Sequence, residues 1–582
     1  MLNLDWESVG KLEEWAKSRY LVIVENLGDR EFTSEDAEEI LKRKNLKLEN
    51  IGKLFSALRD ANLIEVRENP HDSRRNIYRF RFLRAAAPKG KRIDRDELVR
   101  LLKRAADLIR TSVDYKILLL FLFYKSVSDR YNQIVENYKS QGYSEERSLF
   151  LANSEYIKLY NEEDGRLYTW HAVTKSVDTL KELANAVTAI SNMNDKLRDL
   201  RKLAEVLGLY GFISEENASI IHGLVQLFNS YDFSELEYDA LGDGYQWILS
   251  YFAPTRAKEG EVYTPREVIK LLVRLLEIEN GSSVLDPACG SGGMLIEAYN
   301  YIKEKGEVPD LLLVGQERND TMVTIAKLNM VLRGIENFGI FNGDSLGNPK
   351  FQKADYVVAN PPWNLDYPED NLSKDSVKHI YNSIVPGGYT PSSSADWAWV
   401  QLMLYYAEKK VGVVLDQGAL FRGGKEQNIR KGVVRADFLE AVILLPEKLF
   451  YNTSSAGIIM VLNKKKQERR KGKVIFIDAS SLFVKHPEVR KLNQLTDEHI
   501  KRIVEVYREF NDVRGLSRVV GITEIEKKDY NLNVSLYVEK DQDEERIDVV
   551  KEFEELKELE KQRQDLLARI EYYVSEVKKL ND

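Results

Sequence analysis

Short apolar runs alternate with segments of helical periodicity from about residue 246 of the 582-residue chain. The apolar runs are Ser283–Leu285, Leu311–Gly315, Phe338–Phe341, Tyr356–Ala359, Val411–Leu415, Ala441–Leu445 and Gly457–Leu462, and the helical segments are Met294–Lys305, Thr321–Arg333 and Trp397–Glu408. Strands that alternate with helices predict an α/β fold, a mainly parallel, doubly wound sheet. Such sheets bind ligands at the carboxyl ends of their strands, so the residues that follow each run are the candidate site.

The first apolar run leads into a glycine-rich turn, and a helix follows. The turn reads Asp286-Pro287-Ala288-Cys289-Gly290-Ser291-Gly292-Gly293. Glycine lets a backbone approach a ligand closely, and the amides at a helix start face that ligand. A dinucleotide-binding loop follows the same logic, and so does a plain strand-to-helix turn. The glycines alone therefore do not identify the ligand.

The motif Asn360-Pro361-Pro362-Trp363 directly follows the run Tyr356–Ala359. The side-chain oxygen of Asn360 and the carbonyl of Pro361 can both accept hydrogen bonds from the N–H groups of an aromatic amine such as the amino group of adenine. These two hydrogen bonds favour the pyramidal nitrogen of a transition state. The prolines stiffen the backbone, and the indole of Trp363 offers a face on which an extruded base can stack. A proline-rich loop with a buried tryptophan is the structural alternative.

Three further groups of candidate binding residues lie next to predicted elements: at the end of the second strand, after the third strand, and before a helix upstream of the first strand. Glu317 ends the second strand and suits ribose hydroxyls, as acids do in nucleotide-binding sheets. Asp344-Ser345-Leu346 follows the third strand, and Asp344 can accept from the amino group of a cofactor's adenine. Tyr263-Thr264-Pro265 precedes a helix upstream, with Thr264 predicted as the N-cap and Pro265 as the first helical residue.

The segments outside the sheet have patterns of their own. Residues 1–90 predict a small winged-helix-like domain, residues 91–245 a helical domain, residues 246–540 the catalytic domain and residues 541–582 a terminal helix. The first domain has a helix capped by Thr33–Ser34, a second helix over about Glu49–Asn62, two β-like runs, Ile64–Arg67 and Asn76–Phe82, and the basic residues Arg74, Arg75, Arg79 and Arg81. Nucleic-acid contact, protein docking and a solvated basic hairpin all fit this pattern.

The terminal helix, predicted over about Gln542–Leu580, carries a coiled-coil-like seam. Its positions are Leu556, Leu559, Arg563, Leu566, Ile570, Tyr573, Val577 and Leu580. Such a seam needs a partner helix, either within the chain or in another subunit.

Composition limits the class of protein. The net charge is −8, which is unexpected for a protein that grips DNA alone, so either the basic surface is local or a partner supplies most of the DNA contact. The basic cluster Lys464–Lys473 is interpreted as a solvated loop, with contact to DNA phosphates as the alternative.

Cys289 is the single cysteine, which argues against a disulfide framework or a cysteine-rich zinc site. No apolar run is long enough to span a bilayer and no secretory signal is evident, so a cytoplasmic location is expected.

These residues resemble the gamma-type amino-methyltransferases, and the wider match is to modification subunits of type I restriction-modification systems. Further similar segments are Phe121–Arg130, Leu420–Gly424, Ile429–Lys431, Leu445–Tyr451 and Asp529–Asn533, so the resemblance covers roughly residues 95–540. Trp363 stands where phenylalanine or tyrosine is commoner, and the winged-helix-like segment is not typical of the family.

The resemblance implies an S-adenosylmethionine-dependent DNA methyltransferase that methylates N6 of adenine without a metal. The implied catalytic residues are Asn360, Pro361, Pro362 and Trp363, and the implied cofactor-binding residues are Tyr263, Thr264, Pro265, Asp286, Pro287, Ala288, Gly290, Ser291, Gly292, Gly293, Glu317, Asp344, Ser345, Leu346 and Asn360. The implied partners are DNA, a specificity subunit docked through residues 541–582 and the helical domain, a second modification subunit, and in some complexes a restriction subunit.

Three alternatives remain open at this point. The chain can be a self-sufficient DNA adenine methyltransferase that recognises its own site. It can act on RNA or protein, because the tetrapeptide also serves other planar amides and amines. It can also be a non-enzymatic binding module that uses the winged helix.

Overall fold

The computed structural model describes residues 9, 12–27, 32–44, 46, 50–61, 63–69, 72–80, 91–109, 113–176, 179–207, 209, 215–252, 264–386, 388–450, 453, 455–486, 491–539 and 549–581. The chain clusters into two compact units. The first comprises Met1–Tyr263 and Ile278–Asp355, and the second comprises Thr264–Glu277 and Tyr356–Asp582.

The first unit begins with a winged-helix topology. Its elements are α1 (Glu14–Leu27), α2 (Ser34–Arg43), α3 (Ile51–Asp60), β1 (Ile64–Asn69) and β2 (Asp72–Phe80). Thr33 and Asp36 form a capping box at the start of α2, as the threonine predicted. The strands β1 and β2 pair antiparallel, and Phe32 forms a bridge with Tyr78 of β2. The winged-helix prediction is thus confirmed, whereas Arg81 and Phe82 lie outside the described residues.

A helical region follows. Its elements are β3 (Lys91–Arg92), α4 (Arg95–Ile109), α5 (Lys116–Ser140), α6 (Glu145–Glu155), β4 (Tyr160–Asn161), β5 (Arg166–Leu167), α7 (Trp170–Thr174), α8 (Thr179–Met193), α9 (Leu200–Val206), α10 (Glu215–Asn229), β6 (Tyr231–Asp232) and α11 (Tyr238–Tyr251). The apolar run Ile117–Tyr124 is a buried part of α5. Among the described residues, no helix is both long and apolar enough to span a bilayer.

Parallel strands complete the first unit. After α12 (Arg266–Leu276), which belongs to the second unit, come β7 (Ser283–Asp286), α13 (Gly293–Glu304), β8 (Leu312–Glu317), α14 (Asp320–Leu332) and β9 (Phe338–Asn342). β7 pairs parallel with β8, and β8 pairs parallel with β9. Their carboxyl ends therefore lie along one edge, where the predicted binding residues follow them.

The second unit has mixed strand directions. Its elements are most of β10 (Ala354–Ala359), then α15 (Glu369–Leu372), α16 (Lys378–Tyr381), α17 (Asp396–Tyr406), β11 (Ala407–Asp416), α18 (Lys425–Arg435), β12 (Leu439–Leu444), β13 (Gly457–Asn463), β14 (Lys473–Asp478), β15 (Val484–Lys485), β16 (Asn493–Gln494), α19 (Asp497–Glu509), β17 (Ser517–Gly521), α20 (Ile522–Lys527) and α21 (Val549–Asn581). The strand order is β17-β14-β12-β13-β11-β10. β12 and β14 are parallel, whereas β13 and β17 run antiparallel to their neighbours.

The α/β class is confirmed, with the winged-helix-like and helical regions before the strands and a long helix after them. Helix α12 packs so closely on β11 that a Cβ at Gly412 would lie 3.1 Å from the Leu272 side chain.

The basic cluster Lys464–Lys473 is less solvated than predicted. Lys466 is buried and donates to Asp437, and Arg470 is buried beside Glu440, so these two cations belong to buried ion pairs and not to the solvated surface.

Candidate active site

The glycine turn after β7 is held by its own backbone and by β8. The amide of Cys289 donates to the carbonyl of Gln316 at 3.1 Å, and the amide of Gly292 donates to the carbonyl of Cys289 at 2.8 Å. Gly290 and Gly292 have φ values of +50° and +81°, in the left-handed region that favours glycine. A Cβ at Gly292 would lie 3.0 Å from Met330, whereas one at Gly290 would enter open space. The backbone at Gly290 is therefore accessible to a ligand.

Glu317 connects the ends of the three parallel strands. Its carboxylate accepts the amide of Gly290 at 3.0 Å through Oε2 and the amide of Asn319 at 2.8 Å through Oε1. Its carbonyl accepts the amide of Gly343 at 2.9 Å. Each carboxylate oxygen has two lone pairs, so both oxygens retain capacity for ribose hydroxyls.

Asp286 is buried at the end of β7. Its Oδ1 accepts the amide of Ala288 at 3.0 Å. The pKa of Asp286 is raised to about 8, mainly by burial and to a smaller extent by the negative charge of Glu317, although the hydrogen bond from the Ala288 amide lowers it. Burial also raises the pKa of the Cys289 thiol well above its usual value. The thiol is therefore protonated at neutral pH and is not a nucleophile.

The segment after β9 joins the same group. The hydroxyl of Ser345 donates to the carbonyl of Pro287 at 2.6 Å, and the amide of Leu346 donates to Asp344 Oδ1 at 3.1 Å. The structure thus brings the glycine turn Asp286–Gly293 together with Glu317 and with the segment Asp344–Leu346.

One residue that contacts the glycine turn is not marked by any motif in the sequence. Asn329 of α14 donates to the carbonyl of Ser291 at 3.1 Å, and its buried Oδ1 has no hydrogen-bond partner among the described residues.

The Asn-Pro-Pro-Trp segment lies at the end of β10 in the second unit. The carboxamide nitrogen of Asn360 donates to the hydroxyl of Thr264 at 2.8 Å. The indole N–H of Trp363 is shared between Asn360 Oδ1 at 2.9 Å and the carbonyl of Val414 at 3.3 Å. An indole nitrogen can only donate, so the oxygen of the Asn360 carboxamide must face Trp363. The carboxamide therefore has one orientation.

The rest of this segment is rigid. Pro361 is buried, Pro362 is exposed and Trp363 is half-buried. The Trp363 ring packs edge-to-face on Phe450, with ring centroids 4.7 Å apart. The indole is thus fixed from two sides.

The start of α12 differs by one residue from the prediction. The helix begins at Arg266, and Pro265 occupies the cap position with ψ of 139°, its carbonyl accepting the amides of Val268 and Ile269. The prediction that Thr264 is the N-cap is therefore wrong, because its hydroxyl is instead the acceptor for Asn360. Tyr263 lies outside the described residues.

Comparison with known proteins identifies the family. The model of N-6 DNA methylases matches residues 236–546, and the model of the HsdM N-terminal domain matches residues 98–228. The chain is 54% identical to the type I restriction enzyme MjaVII methylase subunit of Methanocaldococcus jannaschii, over 97% of both chains. It is 48% identical to the MjaVIII methylase subunit of the same organism, over 96% of this chain and 97% of that one.

The chain belongs to the type I restriction enzyme methylase subunits. It is an adenine-specific DNA methyltransferase, which decides against a non-enzymatic binding module. The type I methyltransferase subunit of Streptococcus thermophilus has the same fold, with a TM-score of 0.65 at 25% identity over 76% of this chain and all of that one. Enzymes of this family depend on S-adenosylmethionine.

A second set of side chains, centred on Arg422, lies beside the methylase tetrapeptide. The guanidinium of Arg422 donates to Asn364 Oδ1 at 2.7 Å, to Glu426 at 2.6 Å and to Asp396. Asp396 in turn accepts the amide of Asn364 at 2.9 Å. Asn364 follows Trp363 and has a φ of +52°. In the sequence, only the family resemblance of the segment Leu420–Gly424 marks Arg422, and no local pattern indicates these contacts.

Proposed function

We propose that the glycine turn and the Asn-Pro-Pro-Trp segment of this methylase subunit serve one site. In that site S-adenosylmethionine binds along the ends of β7, β8 and β9, and a flipped-out adenine binds at Asn360. The observation that carries the proposal is the fixed carboxamide of Asn360. Its nitrogen donates to Thr264 and its oxygen accepts the Trp363 indole N–H, so one lone pair of that oxygen is left to accept from the amino group of a base.

The residues at the three parallel strands fit the cofactor. The open backbone at Gly290 gives room for close approach, and Glu317 has acceptor capacity for two ribose hydroxyls. Asp344 is assigned to the amino group of the cofactor's adenine, and Thr264-Pro265 with Tyr263 to the methionine end. Pro287, Ala288 and Ser291–Gly293 shape the turn around the ligand. The bound cofactor supplies a methyl group activated by its sulfonium charge.

The tetrapeptide residues prepare the nucleophile. The lone pair of the adenine amino nitrogen is delocalised into the ring. When Asn360 Oδ1 and the Pro361 carbonyl accept hydrogen bonds from its two N–H groups, a pyramidal nitrogen with an available lone pair would be favoured. The buried Pro361 and the adjacent Pro362 hold these acceptors in place, and the half-buried Trp363 ring offers its face to the extruded base.

The proposed domain organisation assigns a role to the remaining regions. Residues 246–540 form the catalytic domain, preceded by the winged-helix-like domain of residues 1–90 and the helical domain of residues 91–245. The terminal helix, within residues 541–582, docks on a specificity subunit together with the helical domain. Its apolar side chains support this, because those of Leu556, Leu559, Leu566, Ile570 and Tyr573 are all exposed.

In the assembled enzyme the specificity subunit recognises the DNA sequence. Two methylase subunits join one specificity subunit, and a restriction subunit can bind the complex. Because the chain has a net charge of −8, we expect a partner subunit to supply much of the contact with the negatively charged DNA phosphates.

Transfer of a radiolabelled methyl group to genomic DNA tests the proposed function. The chain is assayed with and without its specificity subunit, and the DNA is digested to nucleosides. We expect the label in N6-methyl-2′-deoxyadenosine, and only when the specificity subunit is present. Label in a cytosine derivative, in RNA or in protein would contradict the proposal. Equal labelling without the specificity subunit would favour a self-sufficient methyltransferase.

A further inference from the structure

The winged-helix region has a hydrophobic core of its own. The buried side chains that form this core all lie between Val9 and Phe80. Phe32 is at its centre, with ring contacts to Phe55, Tyr78 and Phe80. The region therefore has a packed interior formed by its own residues.

Charge is unevenly distributed along this region. Residues 1–41 contain four Lys or Arg and eleven Asp or Glu, a net charge of −7. Residues 42–80 contain ten Lys or Arg and five Asp or Glu, a net charge of +5. The positive part includes α3 and the β1–β2 hairpin, which are the two elements that contact DNA in winged-helix proteins. The chain as a whole is negative, so this positive part is a local exception.

Helix α3 has a polar and basic outer face. Lys53, Ser56 and Arg59 are exposed at a spacing of three residues, which places them along one side of the helix. No ion pair to Lys53 or Arg59 is found among the described residues. By contrast, Lys42 and Arg43 at the end of α2 each face a glutamate of the same helix, Glu38 and Glu39.

The opposite face of α3 packs in the hydrophobic core of the region. Leu54, Phe55 and Leu58 are buried there. The exposed face carries no large apolar side chain, whereas the central part of a protein-protein interface is enriched in apolar and aromatic residues and depleted in lysine. Exposed cations on a helix beside a hairpin instead suit the phosphates of a duplex.

We propose that the winged-helix region is a second DNA-binding surface, separate from the methylation site. In this proposal α3 lies in or along a groove of duplex DNA, where Lys53 and Arg59 contact phosphates. The β1–β2 hairpin, which includes Arg74 and Arg75 in β2, lies beside it. The surface gives the chain duplex affinity that does not depend on the recognition sequence. It requires neither cofactor nor an intact methylation site.

The test measures the affinity of the full chain for a fluorescently labelled duplex over a series of salt concentrations. Each phosphate contact contributes about 0.9 to the slope of log affinity against log salt. The double variant Lys53→Ala/Arg59→Ala should therefore lose a slope of about 2 and bind about 10-fold or more weakly at roughly 0.1 M salt. Lys42→Ala/Arg43→Ala removes the same charge from the paired positions of α2 and should change both quantities much less.

Two measurements make the outcome decisive. Thermal melting verifies that both double variants remain folded, and calorimetric titration with S-adenosylmethionine should give unchanged cofactor affinity for both. A failure of cofactor binding in the wild-type chain would count against the proposed methylation site and not against this surface. If Lys53→Ala/Arg59→Ala keeps the wild-type affinity and salt slope, the DNA-binding proposal is overturned. Loss of subunit association with unchanged duplex binding would also overturn it and assign the face to protein docking.

Discussion

Arg422 links a buried carboxylate to the residue that follows the methylase tetrapeptide. It donates to Asn364 and to Asp396, and Asp396 holds the backbone amide of Asn364. The three residues fix a left-handed backbone position directly after Trp363. Displacement of a reacting group by about 1 Å can lower a rate about 100-fold, so this set of contacts is expected to matter for the rate more than for cofactor affinity.

Replacement of Arg422 tests its positioning role. Arg422→Gln should lower kcat about 10- to 100-fold while the Kd for S-adenosylmethionine changes little, because the variant frees Asn364 and leaves the glycine turn intact. Steady-state kinetics and calorimetry provide the two values. Arg435→Gln is the matched control, since it removes a half-exposed guanidinium that pairs with Glu526 on the surface. An equal loss of cofactor affinity and rate would indicate a general structural role instead.

Asp286 makes the stability of the cofactor-free chain depend on pH. Its pKa is raised to about 8 in the folded state, whereas the unfolded chain releases the same proton near pH 4. Stability is therefore lost as the pH rises from about 4 to about 8, by up to about 1.4 kcal/mol per pH unit, and the contribution of Asp286 is constant above that window.

The variant Asp286→Asn should remove this dependence, because the carboxamide keeps an acceptor for Ala288 and carries no charge. Melting temperatures between about pH 4 and about pH 8, the window in which Asp286 lowers stability, provide the comparison. The variant should lose less stability than the wild type as the pH rises. Parallel curves for the two proteins would show that Asp286 does not titrate in this range.

The terminal helix carries an exposed apolar seam. Helix α21 spans Val549–Asn581, and the prediction of Gln542–Leu580 begins in residues that lie outside the described part. The described seam side chains are exposed, Leu566 among them at 58%. An exposed row of leucines is costly in water unless another subunit covers it.

A single lysine in the seam should therefore weaken assembly. Leu566→Lys is expected to reduce co-purification with the specificity subunit strongly, because the seam would have to bury a charge. Gln564→Lys adds the same charge two residues away, off the seam, and should have little effect. Size-exclusion chromatography of the co-expressed subunits distinguishes the two. Normal assembly of Leu566→Lys would exclude this seam as the docking surface.

The sequence predicted most elements because their patterns are local. The seven apolar runs from Ser283 to Leu462 are all strands, and the helices between them end within a few residues of the predicted bounds. β17 is not among the predicted strands, because a strand of five residues in a mixed region gives little periodicity. Nothing in the local pattern of β13 could show that it runs antiparallel to β11 and β12.

The candidate site was predictable in its parts and not in its contacts. The tetrapeptide and the glycine turn are visible as motifs, since each depends on consecutive residues. The partners of Asn360 and Trp363 are not, because Thr264 and Val414 lie 96 and 51 residues away along the chain. The helix after Pro265 also begins one residue later than predicted, because the Thr264 hydroxyl accepts a hydrogen bond from Asn360 instead of capping the helix.

The methylase subunit is acidic as a whole, with a net positive charge in part of its winged-helix region. The net charge is −8, yet residues 42–80 alone carry +5. The basic cluster Lys464–Lys473 contributes less to the surface than its composition suggests, because Lys466 and Arg470 are buried in ion pairs. Binding of DNA by the complete enzyme is thus expected to combine the specificity subunit with the winged-helix surface.

Asn360 is proposed to act on the target base in a site that the cofactor also occupies. A comparison of Asn360→Ala with wild type, each in complex with the specificity subunit, tests this proposal by single-turnover methyl transfer and by cofactor titration. Asn337→Ala, at an exposed position, is the control. We expect transfer to fall by about 10²- to 10³-fold or more while the Kd for S-adenosylmethionine stays close to that of wild type. Near-normal transfer by Asn360→Ala would contradict the account.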